Sequence, residues 1–254
     1  MEALSSLNLA EYFQPYENNI YRIVEGQHFI ATRKLVDSDE EQRILEELLD
    51  QSKPTTSTCN SRGELHYLLY TPFRYPPLKS GARFHTIIEQ SLFYGSEELT
   101  TSMAEVVYGR FLFAHHSAAQ FKPMQVPYTH FVARVKSNQS LLLNAPPFEN
   151  HRNDISHPSS YAQAQLLGSA MRQAGTELFT YYSARHIGGV NVGLFSPEAF
   201  QSNKPIAGRE AHWSVYVSAN TIEFKSAHLS KHEKKSYIFH RENFYIDQQF
   251  PVAA

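Results

Sequence analysis

The chain reads Gly81-Ala82-Arg83-Phe84, then Leu92-Phe93-Tyr94-Gly95, then Met103-Ala104-Glu105-Val106-Val107. An arginine, a tyrosine and a glutamate therefore follow one another at two equal intervals of 11 residues. Much later the chain adds Tyr181-Tyr182-Ser183-Ala184-Arg185 and the pair Gly188-Gly189. Together these segments contain the side-chain types that are needed to bind a dinucleotide and break its glycosidic bond.

Short strands and helices surround these motifs without a regular order. Apolar patterns predict strands at 19–24, 66–70, 92–94, 131–135, 178–182, 190–195, 213–217 and 221–224. Helices are predicted at 97–113 and, from a cap at Ser159 or Ser160, over an apolar stripe that stops at Gly175. The chain has no internal repeat and no alternation of strands with helices that would indicate a parallel sheet, so the pattern favours an α+β fold.

Length and composition bound the class of protein. No break in composition divides the 254 residues, so we expect a single domain over 1–254. The 23 basic and 25 acidic residues give a net charge of -2 without a basic stripe, which disfavours direct binding of nucleic acid. A lone Cys59, no signal peptide and no run of about 20 apolar residues favour a soluble cytoplasmic protein that makes no membrane contact.

The histidines do not form a recognisable metal site. His228 and His232 have the i, i+4 spacing of a zinc-binding helix, but the rest of that motif is missing. The adjacent His115 and His116 point in different directions on a helix, and no cysteine or carboxylate completes either pair. We therefore predict no metal.

Arg83 is a candidate ligand for a diphosphate. It follows Gly81-Ala82, where a backbone without bulky side chains can approach a ligand closely. A guanidinium donates two parallel hydrogen bonds and stays charged, which suits a diphosphate. The alternative is an ordinary surface arginine in a loop.

Tyr94 and Glu105 are candidates for the reacting end of the ligand. Tyr94 ends an apolar strand, so its ring offers a flat face to a planar heterocycle such as nicotinamide, or is simply a core aromatic. Glu105 interrupts an apolar run, and its carboxylate could stabilise a sugar cation as a glycosidic bond breaks. The alternative is a capping box, Ser102-Met103-Ala104-Glu105, in which the glutamate only begins a helix.

Ser183 follows the strand at 178–182 and precedes a diglycine turn. It lacks the Gly-x-Ser-x-Gly elbow of a hydrolase nucleophile. A hydrogen bond to a ligand or to the glutamate is the functional interpretation, and a turn-forming serine is the structural one.

These segments resemble the RES domain family, the toxins of bacterial Xre/RES-type toxin-antitoxin modules. The motifs that carry the resemblance are those quoted above, with Val190-Asn191-Val192-Gly193-Leu194-Phe195 after the diglycine and Tyr21-Arg22-Ile23-Val24 as a first strand. The resemblance spans about residues 19–218 and leaves the N-terminal and C-terminal extensions unmatched. The equal spacing of Arg83, Tyr94 and Glu105 is its most specific part.

The resemblance implies a fold like that of ADP-ribosyltransferase toxins, a split, mostly antiparallel sheet core with surrounding helices. It implies that NAD is a substrate, not a resident cofactor, and that nicotinamide is released with water or phosphate as acceptor. One alternative within enzymes is transfer of ADP-ribose to a protein, and one outside them is a non-catalytic module that binds a nucleotide or a partner. An Xre-like antitoxin is the implied protein partner.

The resemblance also implies a role for each candidate. Arg83 would grip the NAD phosphates, Tyr94 would stack near nicotinamide and Glu105 would stabilise the oxocarbenium-like state. Ser183 would position the ribose or the glutamate, and Arg22 would be a second phosphate contact. About 60 residues separate Arg22 from Arg83, which is longer than the spacing of the compact family pattern.

Overall fold

A computed structural model describes the chain at residues 4, 7–26, 36–51, 59–75, 81–117, 121–226 and 236–252. The strands there are β1 (Gln14–Glu25), β2 (Cys59–Asn60), β3 (Gly63–Glu64), β4 (Phe93–Ser96), β5 (Met124–Leu142), β6 (Leu178–Tyr182), β7 (Val190–Leu194), β8 (Ala211–Val217), β9 (Thr221–Ser226) and β10 (Ser236–His240). The α-helices are α1 (Asp39–Gln51), α2 (Tyr67–Tyr70), α3 (Leu99–His116), α4 (Arg152–Ile155) and α5 (Ala162–Gln173). Short 3₁₀ helices lie at Leu9–Tyr12, Thr71–Arg74, Phe148–His151, Pro197–Ala199 and Arg241–Phe244.

One sheet of eight strands forms the body of the described chain, in the order β1-β4-β7-β6-β5-β8-β9-β10. Its pairings are antiparallel except for that of β5 with β6. Because β1 also pairs with β5, the strands β1, β4, β7, β6 and β5 form a closed ring, and β8 to β10 extend from β5. The predicted α+β class with a mostly antiparallel sheet is therefore confirmed.

The 19-residue strand β5 joins the ring to its extension. Met124–His130 pairs with β8, Tyr128–Ser140 pairs with β1, and Ser140–Leu142 pairs with β6. In its middle, Phe131, Ala133 and Val135 are buried in the ring's core, whereas Arg134 is exposed and Val132 is buried outside that cluster. The three residues of the core cluster lie on one face of the strand that was predicted at 131–135.

The ring of strands closes weakly between β1 and β4. Among the described residues, only the pair Tyr21 and Ser96 joins these two strands in register. Beyond that pair an arginine side chain joins them, since Arg22 Nη1 donates to the carbonyl oxygen of Tyr94 at 2.5 Å. The Arg22 guanidinium also lies 4.8 Å from the centroid of the Phe93 ring. A ligand-sized cleft begins at this gap.

Close packing of α5 fixes the segment that carries Arg83. A Cβ at Gly168 would lie 2.3 Å from the carbonyl oxygen of Phe84, so a larger residue would push the helix away from this backbone. The Phe84 ring is fully buried, with centroids of Phe179 and Tyr181 at 4.6 and 4.8 Å. Helix α5 therefore holds the residue next to Arg83 against the sheet.

Several strand predictions are confirmed. The segments predicted at 19–24, 178–182 and 213–217 lie within β1, β6 and β8, and the segments at 92–94 and 190–195 overlap β4 and β7. The segment predicted at 221–224 lies within β9 and pairs with β8, with Phe224 opposite Val215. The helix predicted at 97–113 is α3, shifted to Leu99–His116.

The strand predicted at 66–70 is wrong, because this segment is the short helix α2. The Nδ1 atom of His66 accepts the N–H of Leu68 at 3.3 Å and caps the helix. Leu65, Leu69 and Phe73 are buried and lie four residues apart, which is helical spacing. The neighbouring residues are also apolar, so the helical period could not be recognised in the sequence.

The serine cap predicted for α5 is also wrong. The residue before the helix is Tyr161, which makes no side-chain cap. The N–H groups of Ser159 and Ser160 instead donate to Nδ1 of His157, at 3.2 and 2.9 Å. The predicted stop at Gly175 is confirmed, since the helix ends at Gln173 and Gly175 has a φ of 80°.

Gly168→Ala should lower the free energy of unfolding by about 1–3 kcal/mol, because the added methyl meets rigid backbone. Gly109→Ala is the matched control, since Gly109 lies in α3 and a Cβ there meets nothing within 4 Å. That control should stabilise the protein by about 0.5–1 kcal/mol through helix propensity. Urea unfolding of both variants tests this, and equal effects would contradict the described packing of α5.

Candidate active site

A cleft of about 430 Å³ opens beside the gap between β1 and β4. Its walls come from α3, from β1, β4, β6 and β7, and from the loops at 81–83, 161 and 185. The volume lies in the range of about 300–1,000 Å³ that is typical of small-molecule sites. The cleft brings together four of the five predicted site residues: Arg22, Arg83, Tyr94 and Glu105.

Glu105 lies in the second turn of α3 and is held by two side chains. Its Oε1 atom accepts a hydrogen bond from Ser183 Oγ at 2.7 Å and another from Asn191 Nδ2 at 2.6 Å. Within the described part of the chain no hydrogen bond reaches the second oxygen, Oε2, which leaves that oxygen for a ligand. The capping-box interpretation of Glu105 is wrong, because α3 begins at Leu99 and its N-cap is Glu98.

Ser183, the fifth predicted residue, reaches the site through Glu105. Its side chain is buried, with 3% exposure. The Oγ atom accepts the N–H groups of Arg185 and His186, each at 3.0 Å, so its own hydrogen is directed to Glu105. Ser183 thus forms the turn after β6 and contacts the glutamate with the same hydroxyl group.

Asn191 is a residue of this network to which the sequence analysis gave no role. It lies in β7, opposite Ser96 of β4, and only 2% of it is exposed. Its Oδ1 accepts from Ser96 Oγ at 2.7 Å, while its amide nitrogen donates to Glu105. The sequence did contain a signal for Asn191. An asparagine inside the apolar run 190–194 is buried with the strand, so its amide must find buried hydrogen-bond partners.

Arg83 is 8% exposed and is held by its neighbours. Its Nη1 donates to the carbonyl oxygens of Ile155 at 3.3 Å and His157 at 2.7 Å. Its guanidinium carbon lies 4.5 Å from the centroid of the Tyr161 ring, which is a cation–π distance. The group therefore presents its remaining N–H donors from a fixed position at the cleft wall.

Two more arginines line the cleft, Arg22 and Arg185. Burial lowers the pKa of the Arg22 guanidinium from an ordinary value that lies far above neutral pH. Arg185 was quoted in the motif after Ser183 but was given no role. Its Nη2 donates to the carbonyl oxygen of Pro158 at 2.6 Å, and its guanidinium carbon lies 3.3 Å from the centroid of the Tyr108 ring.

Aromatic rings form much of the remaining cleft surface: Tyr94, Tyr108, Tyr161 and Tyr181. Burial raises the pKa of the Tyr94 and Tyr181 hydroxyls well above the ordinary value, so both remain neutral phenols. With 15 tyrosines in the chain, only Tyr94 was assigned to the site from the sequence, because it is equally spaced from Arg83 and Glu105.

No group of three or more histidine, cysteine, aspartate or glutamate side chains arranged to hold a metal occurs in the described residues. No α-helix of the same residues has the length and apolar character that crossing a membrane requires.

The comparison with protein families agrees with the motifs. A family model for the RES domain matches residues 59–217. A comparison with curated proteins found no match. A chain from the crystal structure of the M. tuberculosis MbcT-MbcA toxin-antitoxin complex aligns with 14% sequence identity and a TM-score of 0.46, covering 86% of this chain and 94% of that chain.

Asn191→Asp should place a second carboxylate against Glu105, where the amide now donates at 2.6 Å. Two carboxylates so close cannot both ionise without cost, so we expect a loss of about 1–3 kcal/mol in unfolding free energy at neutral pH. The loss should shrink as the pH falls from about 7 to about 5, because a proton taken up by the pair restores a donor.

Asn191→Ala is the control for that prediction, since it removes the same hydrogen bonds without adding a charge. Its loss of stability should change little over the same pH interval. Urea unfolding at the two pH values measures both variants. A deficit of Asn191→Asp that does not vary with pH would contradict the direct contact between residues 191 and 105.

Proposed function

The chain belongs to the RES domain family, and from that premise we propose that it consumes NAD by breaking the bond between nicotinamide and ribose. The observation that carries the proposal is the glutamate held at Oε1 by Ser183 and Asn191 in a cleft lined by three arginines. A dinucleotide has the matching chemistry, since its diphosphate is anionic and its nicotinamide ribose becomes cationic as the bond breaks.

The binding end of the cleft suits the diphosphate. Arg22, Arg83 and Arg185 supply guanidinium groups, which bind phosphate oxygens through paired N–H donors. Each is already fixed by a backbone carbonyl and an aromatic ring, so little side-chain entropy is lost on binding. Tyr94 offers a neutral ring for stacking on nicotinamide or on the ribose.

The reacting end of the cleft suits an oxocarbenium-like ion. When the C1–N bond breaks, its electron pair leaves with nicotinamide, and positive charge develops on C1 and the ring oxygen of the ribose. The free Oε2 of Glu105 would stabilise this charge, and its orientation is set in advance by the two donors at Oε1. An acceptor oxygen then forms a bond to C1 and loses its proton, and water gives ADP-ribose while phosphate gives its 1-phosphate.

We also propose that the chain is the toxin of a toxin-antitoxin module and that an Xre-like antitoxin is its partner. Both follow from the resemblance of the motifs at Arg83, Tyr94, Glu105 and Ser183. Transfer of ADP-ribose to a protein would use the same bond cleavage with a different acceptor.

Glu105→Gln should reduce the rate of nicotinamide release by roughly 100-fold or more, because it removes the stabilising charge. The amide oxygen can still accept from Ser183 and Asn191, so the fold and NAD binding should persist. Glu177→Gln is the matched control, since Glu177 also accepts a serine hydroxyl, from Ser137 at 2.7 Å, but does not line the cleft. Unchanged turnover in Glu105→Gln would remove that residue from the mechanism.

Arg83→Ala should raise KM for NAD by roughly tenfold to a hundredfold, through loss of charge-assisted hydrogen bonds to phosphate. Arg134→Ala is the control, because Arg134 is an arginine of β5 that pairs with Glu17 at 2.6 Å outside the cleft. Steady-state kinetics of nicotinamide release measure both variants. If Arg83→Ala kept the parent KM, the phosphate role of Arg83 would be wrong.

A further inference from the structure

The C-terminal segment from Phe244 to Pro251 lies outside the residues 59–217 that the RES model matches, yet it contacts the cleft wall. The carbonyl oxygen of Pro251 accepts a buried hydrogen bond from Tyr108 Oη at 2.8 Å. The Phe250 ring stacks on the Tyr108 ring, with centroids 5.4 Å apart and planes inclined by 21°. This segment therefore contacts Tyr108 at both its hydroxyl and its ring.

Tyr108 in turn holds Arg185. The guanidinium carbon of Arg185 lies 3.3 Å from the centroid of the Tyr108 ring, and its Nη2 donates to the carbonyl oxygen of Pro158. A planar guanidinium that is stacked on a ring and bonded at one nitrogen keeps few other orientations. Arg185 lines the cleft, and its guanidinium is consequently held there in a defined orientation.

A tight turn brings Phe250 to this position. Ile246 and Gln249 exchange two backbone hydrogen bonds of 2.9 Å, and between them Asp247 and Gln248 have φ values of 48° and 63°. Two consecutive non-glycine residues with positive φ are unfavourable, and such a turn persists only where its flanks are anchored. Here the flanks are Phe244, which is 7% exposed in the core, and Phe250 on Tyr108.

We propose that the segment from Phe244 to Pro251 positions Arg185 for the ligand's diphosphate, acting through Tyr108. The inference rests on the proposed function, because the diphosphate is that of NAD. Arg185 touches the ligand in this account, whereas Phe250 is a positioning residue that acts through Tyr108 and Arg185. Loss of Phe250 should therefore weaken ligand binding and leave the bond-breaking step almost unchanged.

The test compares Phe250→Ala and Phe250→Tyr with the parent in two measurements. Calorimetry gives the affinity for ADP-ribose, and nicotinamide release gives KM and kcat for NAD. Phe250→Ala should lose roughly threefold to tenfold in affinity and in 1/KM, with kcat within about twofold of the parent, because the stacking that orients Arg185 is loosened. Phe250→Tyr keeps the ring and should restore the parent values.

Phe239→Ala is the matched control for lost core packing. Phe239 packs against the same hydrophobic cluster, 6.1 Å from the Phe224 ring, and no ring contact with Tyr108 is present in the described residues. Phe239→Ala should lower the melting temperature of the protein, as Phe250→Ala does. Its affinity for ADP-ribose should equal that of the parent. If Phe250→Ala does not fold, Tyr108→Phe replaces it, since that change removes only the hydroxyl that bonds to Pro251.

A double-mutant cycle tests whether Phe250 acts through Arg185. Arg185→Ala alone and Arg185→Ala with Phe250→Ala should bind ADP-ribose equally, because the second change has nothing left to position. Additive losses, an unchanged affinity in Phe250→Ala, or an equal loss in Phe239→Ala would overturn the proposal. If the parent binds ADP-ribose and the variants give one of these results, only the positioning role of the C-terminal segment is contradicted and the proposed function stands. A folded parent that neither binds ADP-ribose nor releases nicotinamide contradicts both the positioning role and the proposed function.

Discussion

The two hydrogen bonds to Oε1 of Glu105 are the contact on which the arrangement of the site depends. They join three parts of the fold, because Glu105 belongs to α3, Ser183 to the turn after β6 and Asn191 to β7. Each donor is itself fixed, Ser183 by two backbone N–H groups and Asn191 by Ser96 of β4. A carboxylate held in this way needs no rearrangement when positive charge develops beside it, which is the condition for effective electrostatic stabilisation.

The cleft lies where the ring of strands is least continuous. A full ladder between β1 and β4 would satisfy every backbone group and leave no opening, but here one residue pair joins the strands and Arg22 bonds to the carbonyl of Tyr94. The guanidinium of Arg22 thereby lies at the edge of the opening and lines the cleft. Arg83 and Arg185 are fixed by the same means, a backbone carbonyl on one side and a tyrosine ring on the other.

The sequence predicted the α+β class, most strands around the site and four residues that meet in the cleft, because these depend on local patterns and on spacing. It offered Ser183 as a partner of Glu105 but did not predict Asn191, since Asn191 is 86 positions away in the chain and only the sheet brings it close. Arg185 was quoted without a role for the same reason, as its orientation depends on Tyr108 and on the C-terminal segment. The helix α2 was mistaken for a strand because a short apolar run has no period that separates the two structures.

The most direct measurement follows both halves of NAD during incubation with the purified chain, using one label in the nicotinamide ring and another in the adenosine. Free nicotinamide should appear as fast as NAD disappears. The adenosine label should then appear in ADP-ribose, in its 1-phosphate or on a protein, and so identify the acceptor. Intact NAD after prolonged incubation with folded protein, with both labels still in one molecule, would contradict cleavage of NAD by this chain.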